Sequence, residues 1–349
     1  MLENEINDIR IEKDFRSITF SEFKKTEVKK ELLSCLKNSQ LESSFYWSTE
    51  FICAGQFNDL WENIIYFYSK HIHLANPKLS IYLHLQINNF KEIYRNGYVN
   101  YELALRNNIK IRRIFAEVIY ILVESKKKHT FEEIKVKKED FDLSVISEKM
   151  KAPNIHYGEI VFRSGDPKEI YIAINELIYF ITEEKNSLLA CYWLEWLIEF
   201  DSKPIKYKME RRLYVKENKF QVNLIWIVWE IFIELSKEKQ PLLKKIINSL
   251  LELFMLKYTV SCNRKRKFLM YMAIELLTST IVFEEEIIKD KEKMSKIIEK
   301  ISVIYKEVKK NEKNPSTDYL FHNVNNNLNQ TISKLEKMNE IGETFIPRL

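Results

Sequence analysis

The residues able to do chemistry are few and scattered. His71 and His73 lie two positions apart, with Cys53 upstream. Side chains two apart on a helix point in different directions, so these histidines converge only where a helix frays. A zinc site needs four ligands at paired spacings, and this set lacks the fourth, so no metal site is expected. The histidines read instead as flanking the turn before Pro77. The four cysteines, Cys35, Cys53, Cys191 and Cys262, form no C-x-x-C pair and sit among apolar neighbours. They read as buried free thiols of a reducing intracellular compartment, cytoplasm or nucleus. A nucleophile needs a base beside it, and nothing in the sequence sets one next to Cys53, Cys191 or Ser69. The acidic run Glu284-Glu285-Glu286 lies in a lysine-rich stretch, as a solvated helix face would. No G-x-x-x-x-G-K-[ST] motif or other glycine-rich loop exists to cradle phosphate. The expectation is a protein without a catalytic site or a cofactor.

Basic residues are the richest candidates. Arg106, Lys110, Arg112 and Arg113 recur in the second half as Arg264, Lys265, Arg266 and Lys267, each group leading into an apolar helical run. Clustered lysine and arginine can neutralise phosphates and release counterions, so these two helix starts are a candidate nucleic-acid surface. The overall charge of +5 over 349 residues permits such binding without requiring it.

The elements that would position these groups are helical. Five glycines and seven prolines in 349 residues leave too few for the turns of a sheet protein or a dinucleotide-binding fold. Apolar residues amount to 46% of the chain, enough for a folded core. The most apolar run, residues 224 to 233, is half the length of a membrane span. The N-terminal MLENEINDIRIEKDF has no apolar core of a secretory signal.

Three- and four-residue apolar spacings run through Val28, Leu32, Leu33, Cys35 and Leu36, then through Phe45, Tyr46, Thr49, Ile52 and Cys53. Gly55 reads as the residue that ends the second of these helices. A third helix carries Leu60, Trp61, Ile64, Ile65, Phe67 and Tyr68. A fourth begins near Pro77, and a fifth, longer and basic, spans about 102 to 125. Residues 1–20 read as a polar lead-in to this first unit, 21–125. Residues 126–166 are an irregular connector in which FEEIKVK could form a short strand. The second helical unit is 167–283. Residues 284–349 hold C-terminal helices and the Asn-rich HNVNNNLNQ loop. One polar helix over 284–310 is expected to carry a coiled-coil-like seam of Met294, Ile297, Ile301, Ile304 and Val308.

The two units look duplicated. Tyr46-Trp47 corresponds to Tyr192-Trp193, LWENIIYFYSK to IWIVWEIFIELSK, Pro77 to Pro241, and IRRIFAEVIYILVES to KRKFLMYMAIELLTS. The fold class expected is all-α: a duplicated helical bundle or short α-solenoid with an irregular connector between its halves.

Within the first unit, Glu42, Ser43, Ser44, Tyr46, Trp47, Gly55, Ser69, Ile72, Ala75, Asn76 and Pro77 follow one another at a distinctive spacing. This pattern resembles the C-terminal helical domain of the MgsA/RarA replication-associated ATPases, a post-AAA+ oligomerisation domain related to clamp-loader collars. The resemblance covers about residues 25 to 90. Asn76 stands where the family has an acid, Lys70-His71 replaces an acidic pair, and the ATPase module is missing. The chain as a whole is similar in its Lys, Asn and Ile richness to proteins of nucleocytoplasmic large DNA viruses. The resemblance implies oligomerisation and partner docking in DNA replication or repair; with no catalytic motif and no spanning run, the expectation is a non-catalytic scaffold protein with a protein partner or self-association and no membrane. Its candidate interface residues are Tyr46, Trp47, Trp61 and the 294–308 seam. The alternatives are core packing for the aromatic pair, and sequence-independent nucleic-acid binding for the protein.

Overall fold

The apolar spacings resolve into helices throughout. The computed structural model describes residues 4–128, 130–203, 207–281 and 283–313. Among them lie α1 (Lys25–Lys37), α2 (Leu41–Cys53), α3 (Phe57–Phe67), α4 (Leu79–Arg95), α5 (Ile109–Glu124), α6 (Leu143–Lys149), α7 (Tyr171–Thr182), α8 (Ser187–Asp201), α9 (Ile225–Ser236), α10 (Pro241–Phe254), α11 (Cys262–Lys265), α12 (Lys267–Thr278), α13 (Lys291–Glu299) and α14 (Ser302–Lys309). The protein is all-α; its only β feature among the described residues is an isolated bridge between Ile18 and Lys24. No helix among the described residues is long and apolar enough to cross a membrane.

Local sequence explains several of the helix ends. Gly55 follows α2 with φ +72°, a conformation that costs a residue with a Cβ. Its N–H donates to Ile52 O at 3.0 Å, and the Gln56 N–H donates to Phe51 O at 2.9 Å. This paired closure satisfies two carbonyls that the last turn would leave open. A Cβ at Gly55 would also sit 2.9 Å from Leu103 Cδ1. Asn108 caps α5 by accepting from the Lys110 and Ile111 N–H groups at 2.9 and 3.2 Å. Asn186 caps α8 and Asp290 caps α13 in the same way. Pro241 opens α10, where its missing N–H has no helical partner to lose.

The two halves pack their helices in the same order. In the first, α2 contacts α1, α3 and α5, while α5 contacts α1 and α4; in the second, α8 contacts α7, α9 and α12, while α12 contacts α7 and α10. The Tyr-Trp helix and the basic-started helix are therefore the central pair of each half. The halves meet where α4 lies on α10 and where residues 68–75 lie on α12.

Four expectations are corrected. The helix predicted over 102–125 is broken: residues Glu102–Asn107 form a 3₁₀ turn, and Asn108 then caps the true start of α5. FEEIKVK is irregular rather than a strand, since no neighbouring strand offers it a ladder. The helix predicted over 284–310 is two helices, α13 and α14, and residues 284–290 lie outside both. The lead-in is not merely polar: Ile6, Phe15 and Phe20 are buried in the core. It is tied to the far end of the described chain, with the Ile9 N–H donating to Lys313 O at 3.4 Å and the Lys313 N–H to Asp8 Oδ2 at 2.9 Å. The HNVNNNLNQ loop and the terminal helix expected after it lie outside the described residues.

Candidate functional site

The basic helix starts divide sharply by burial. Arg106 is buried and donates to Cys53 O at 3.4 Å and Asp8 O at 3.1 Å. Arg112 donates to Arg106 O at 2.6 Å, Asn4 O at 3.0 Å and Asn107 Oδ1 at 2.9 Å, and its guanidinium lies 4.0 Å over the Tyr305 ring. Arg266 is buried and paired with Glu62; it donates to Phe254 O at 2.5 Å and Leu253 O at 3.3 Å. It thus closes the carbonyl end of α10, a favourable place for a cation. Lys267 pairs with the buried Glu195 at 2.9 Å. These four are structural, which corrects the expectation that all eight face a nucleic acid. A guanidinium reaches several backbone carbonyls at once, so a folded core uses it where a helix start must be fixed. Arg113 pairs with Glu117 at 2.9 Å and Arg264 with Glu199 at 3.0 Å, both near solvent. Lys110 and Lys265 are exposed.

The candidate interface also turns inward. Trp61 is buried against Phe115, with ring centroids 4.9 Å apart. Met294 and Val308 are buried, and Ile297, Ile301 and Ile304 pack half-buried on the core. The seam is closed because α13 lies on α5 and α14 on α2. It is an intramolecular contact, which corrects the expectation of an exposed one. Tyr46 and Trp47 are half-buried and meet edge to face at 5.1 Å; Trp47 also packs on Phe23 at 5.5 Å.

The remaining reactive groups sit inside. All four cysteines are buried and unbridged. Burial pushes the Cys53 thiol up to about 12 and the Cys191 thiol well above its ordinary value, the opposite of what a nucleophile needs. No group of three potential metal ligands occurs among the described residues. His71 and His73 lie in the irregular turns after α3, with the His73 ring tilted against Phe131 at 4.3 Å and 4.0 Å from the Glu275 carboxylate. Burial, together with Lys37, Lys70 and His73, holds the His71 imidazole down at about 4.

Two concave features border the residues named above. The first is a groove of about 540 Å³ beside the start of α5. Asn4, Ile109, Arg112, Ile298, Ile301 and Tyr305 contribute to its walls. Ile109 is 69% exposed there. The second is a cleft of about 370 Å³ between the halves. Lys25 and Lys29 from α1 face Arg264, Lys265 and Lys267 across it, with Asn63, Tyr66 and Phe268 also in its walls. Lys25, Lys29, Asn63 and Ile109 were not singled out from the sequence. The i, i+4 spacing of Lys25 and Lys29 is legible there, but their approach to residues more than two hundred positions away is not.

No family model, no curated protein and no solved structure matches the chain.

Proposed function

We propose that the protein is a non-catalytic helical scaffold that associates through the groove beside α5, with a second copy of the chain as its first partner. One observation carries the reading: the groove joins an exposed apolar side chain, Ile109, to an arginine held flat over a tyrosine, Arg112 on Tyr305. Tyr305 is itself buried and serves to position Arg112; arginine is enriched in the cores of association surfaces. Arg112 is fixed in advance by its three hydrogen-bond acceptors, so binding orders little that is not already ordered. The resemblance of the Tyr46-to-Pro77 stretch to an oligomerisation domain supports self-association, and it supports a setting in replication or repair. Light scattering across protein concentrations tests it. The expected result is a defined oligomer above the 42.1 kDa chain mass, dissociated by Ile109→Asp. A monomer at every concentration overturns the reading.

A further inference from the structure

The groove beside α5 has two unlike walls. One is the start of α5, which supplies Ile109, Arg112 and Arg113; the other is the junction of α13 with α14, which supplies Ile298, Glu299 and Ile301. Ile109 is the first residue of α5 and is open to solvent, whereas Ile298 and Ile301 lie half-buried. One wall therefore carries an exposed apolar side chain, and the other a recessed apolar bed.

Charge follows the same division. The α5 wall is cationic, the α13 wall is anionic, and no ion pair joins them among the described residues. Arg113 pairs along its own helix with Glu117 at 2.9 Å, yet 65% of its side chain stays in solvent. Exposed i, i+4 pairs of this kind contribute little, so Arg113 is cheaply redirected. Glu117 also accepts from the Tyr82 hydroxyl at 3.2 Å and keeps a partner when Arg113 turns away. Glu299 is exposed at the last position of α13 and has no ion-pair partner among the described residues.

A two-fold axis running along the groove, between its walls, sets each wall of one copy against the opposite wall of the other. Ile109 then meets the recessed bed of the second copy, and Arg113 meets its Glu299. In such an interface every contact is made twice, because a contact from one copy to the other implies its reverse. A foreign partner of one charge would call for one sign along both walls. Opposite signs on opposite walls select a surface with the same pattern, which is a second copy of this chain.

We infer that the groove closes an isologous dimer, in which Arg113 of each copy pairs with Glu299 of the other and Ile109 of each seats on Ile298 and Ile301 of the other. This rests on the reading of the groove as a self-association surface and adds to it the symmetry of the assembly and the residues that pair.

Sedimentation velocity on the full chain over a range of concentrations tests it. Wild type is expected at about twice the 42.1 kDa chain mass. Arg113→Glu brings like charges together at both copies of the pair and is expected to raise the dissociation constant by about tenfold or more, and Glu299→Arg to do the same. The decisive sample is an equimolar mixture of these two variants. One then presents acid at both positions and the other base at both, so each pair in a mixed dimer has opposite signs and wild-type affinity returns. The unfolding midpoint of each variant shows that it folds. Suppose Ile109→Asp dissociates the wild-type oligomer, but neither charge reversal weakens it or the mixture fails to regain affinity. That overturns the two-fold pairing and leaves the scaffold reading standing, as does an assembly of more than two chains. A wild type that is monomeric at every concentration gives the groove to another occupant and overturns both.

Discussion

The two halves arrange the same central helix pair but cover it with different chain. Around the first half, the cover comes from the two ends of the described chain: residues 4–20 and α13–α14 close over α2 and α5. Around the second, it comes from the connector and the loop before α9. The two covers are pinned by buried arginines of unequal completeness. Arg212 is almost fully enclosed and donates to Asp166 Oδ1 and Oδ2 at 3.0 and 2.7 Å, to Glu230 Oε2 at 2.6 Å, and to the Glu210 and Val161 carbonyls. Arg10 forms a bidentate pair with Asp8 at 2.8 and 2.5 Å and lies over Phe15 and Phe20, but its Nη1 has no partner. A saturated buried ion pair fixes a segment firmly, whereas an unfinished one leaves part of the desolvation penalty uncompensated. The covering segment of the second half is therefore the more firmly locked.

The Tyr-Trp helices show the same contrast. Trp193 of α8 is among the largest fully buried side chains, while Trp47 of α2 is half-buried beside Phe23. Each helix buries a glutamate. Glu50 accepts from Thr19 Oγ1 at 2.8 Å, the Ser21 N–H at 2.9 Å and Ser21 Oγ at 2.5 Å, all from the lead-in. Glu195 accepts from Tyr271 at 2.5 Å and Lys267 at 2.9 Å, both from α12. One duplicated helix thus fastens a covering segment, and the other fastens its own core partner.

The comparison can be broken most directly at the arginine centres. Asp166→Ala leaves the buried Arg212 guanidinium with Glu230 as its one remaining carboxylate and two donor groups short of partners, and is expected to cost about 3–5 kcal/mol. Asp8→Ala, at the less complete centre, is expected to cost about 1–3 kcal/mol. Urea unfolding of both variants ranks them, and a larger loss for Asp8→Ala reverses the order drawn here. The aromatic pair comes next. Trp193→Ala is expected to cost about 3–5 kcal/mol, the range for emptying a buried tryptophan site. Trp47→Ala should cost about 1–2 kcal/mol because solvent fills part of the space it leaves. Equal midpoints for the two would show that the halves are equivalent after all.

Gly55→Ala offers a finer test of the turn behind the first Tyr-Trp helix. The positive φ and the 2.9 Å approach to Leu103 act together, so a loss of about 1–2 kcal/mol is expected in thermal unfolding. Leu103→Ala in the same background should recover part of it by removing the steric share.

A pH dependence tests the first half in a different way. The His71 imidazole is held at about 4 in the folded protein, against about 6.5 for an unperturbed histidine. Below about 6.5 the unfolded chain takes up a proton that the folded chain refuses. This contribution to stability is complete above that pH and is lost as the pH falls toward about 4. Chemical denaturation between pH 4 and 7 should show a shallower slope in His71→Asn than in wild type. An unchanged slope would place the titration elsewhere.

Much of the architecture was legible in the residues. Apolar periodicity located the two Tyr-Trp helices, Gly55 marked the end of the first, and Pro241 opened α10. The matching order of helices was visible as a repeat. What periodicity could not register was the break at Asn108, because a capping asparagine inside an apolar rhythm changes few positions. Nor could it show that the 294–308 seam folds back on α5 and α2. A seam reads the same whether its partner is another chain or a distant part of its own.

The sequence by itself determined most of the helices and some of their ends, since spacing, glycine and capping residues act through neighbours within a turn or two. Tertiary structure decided which charges are structural and which are free. Arg266 and Lys265 are adjacent in sequence, yet one is buried among carbonyls of α10 and the other faces the cleft. That outcome depends on which helices lie within reach of a long flexible side chain, and the contact between residues 62 and 266, like the cleft that residues 29 and 265 both line, exists only once the halves have packed.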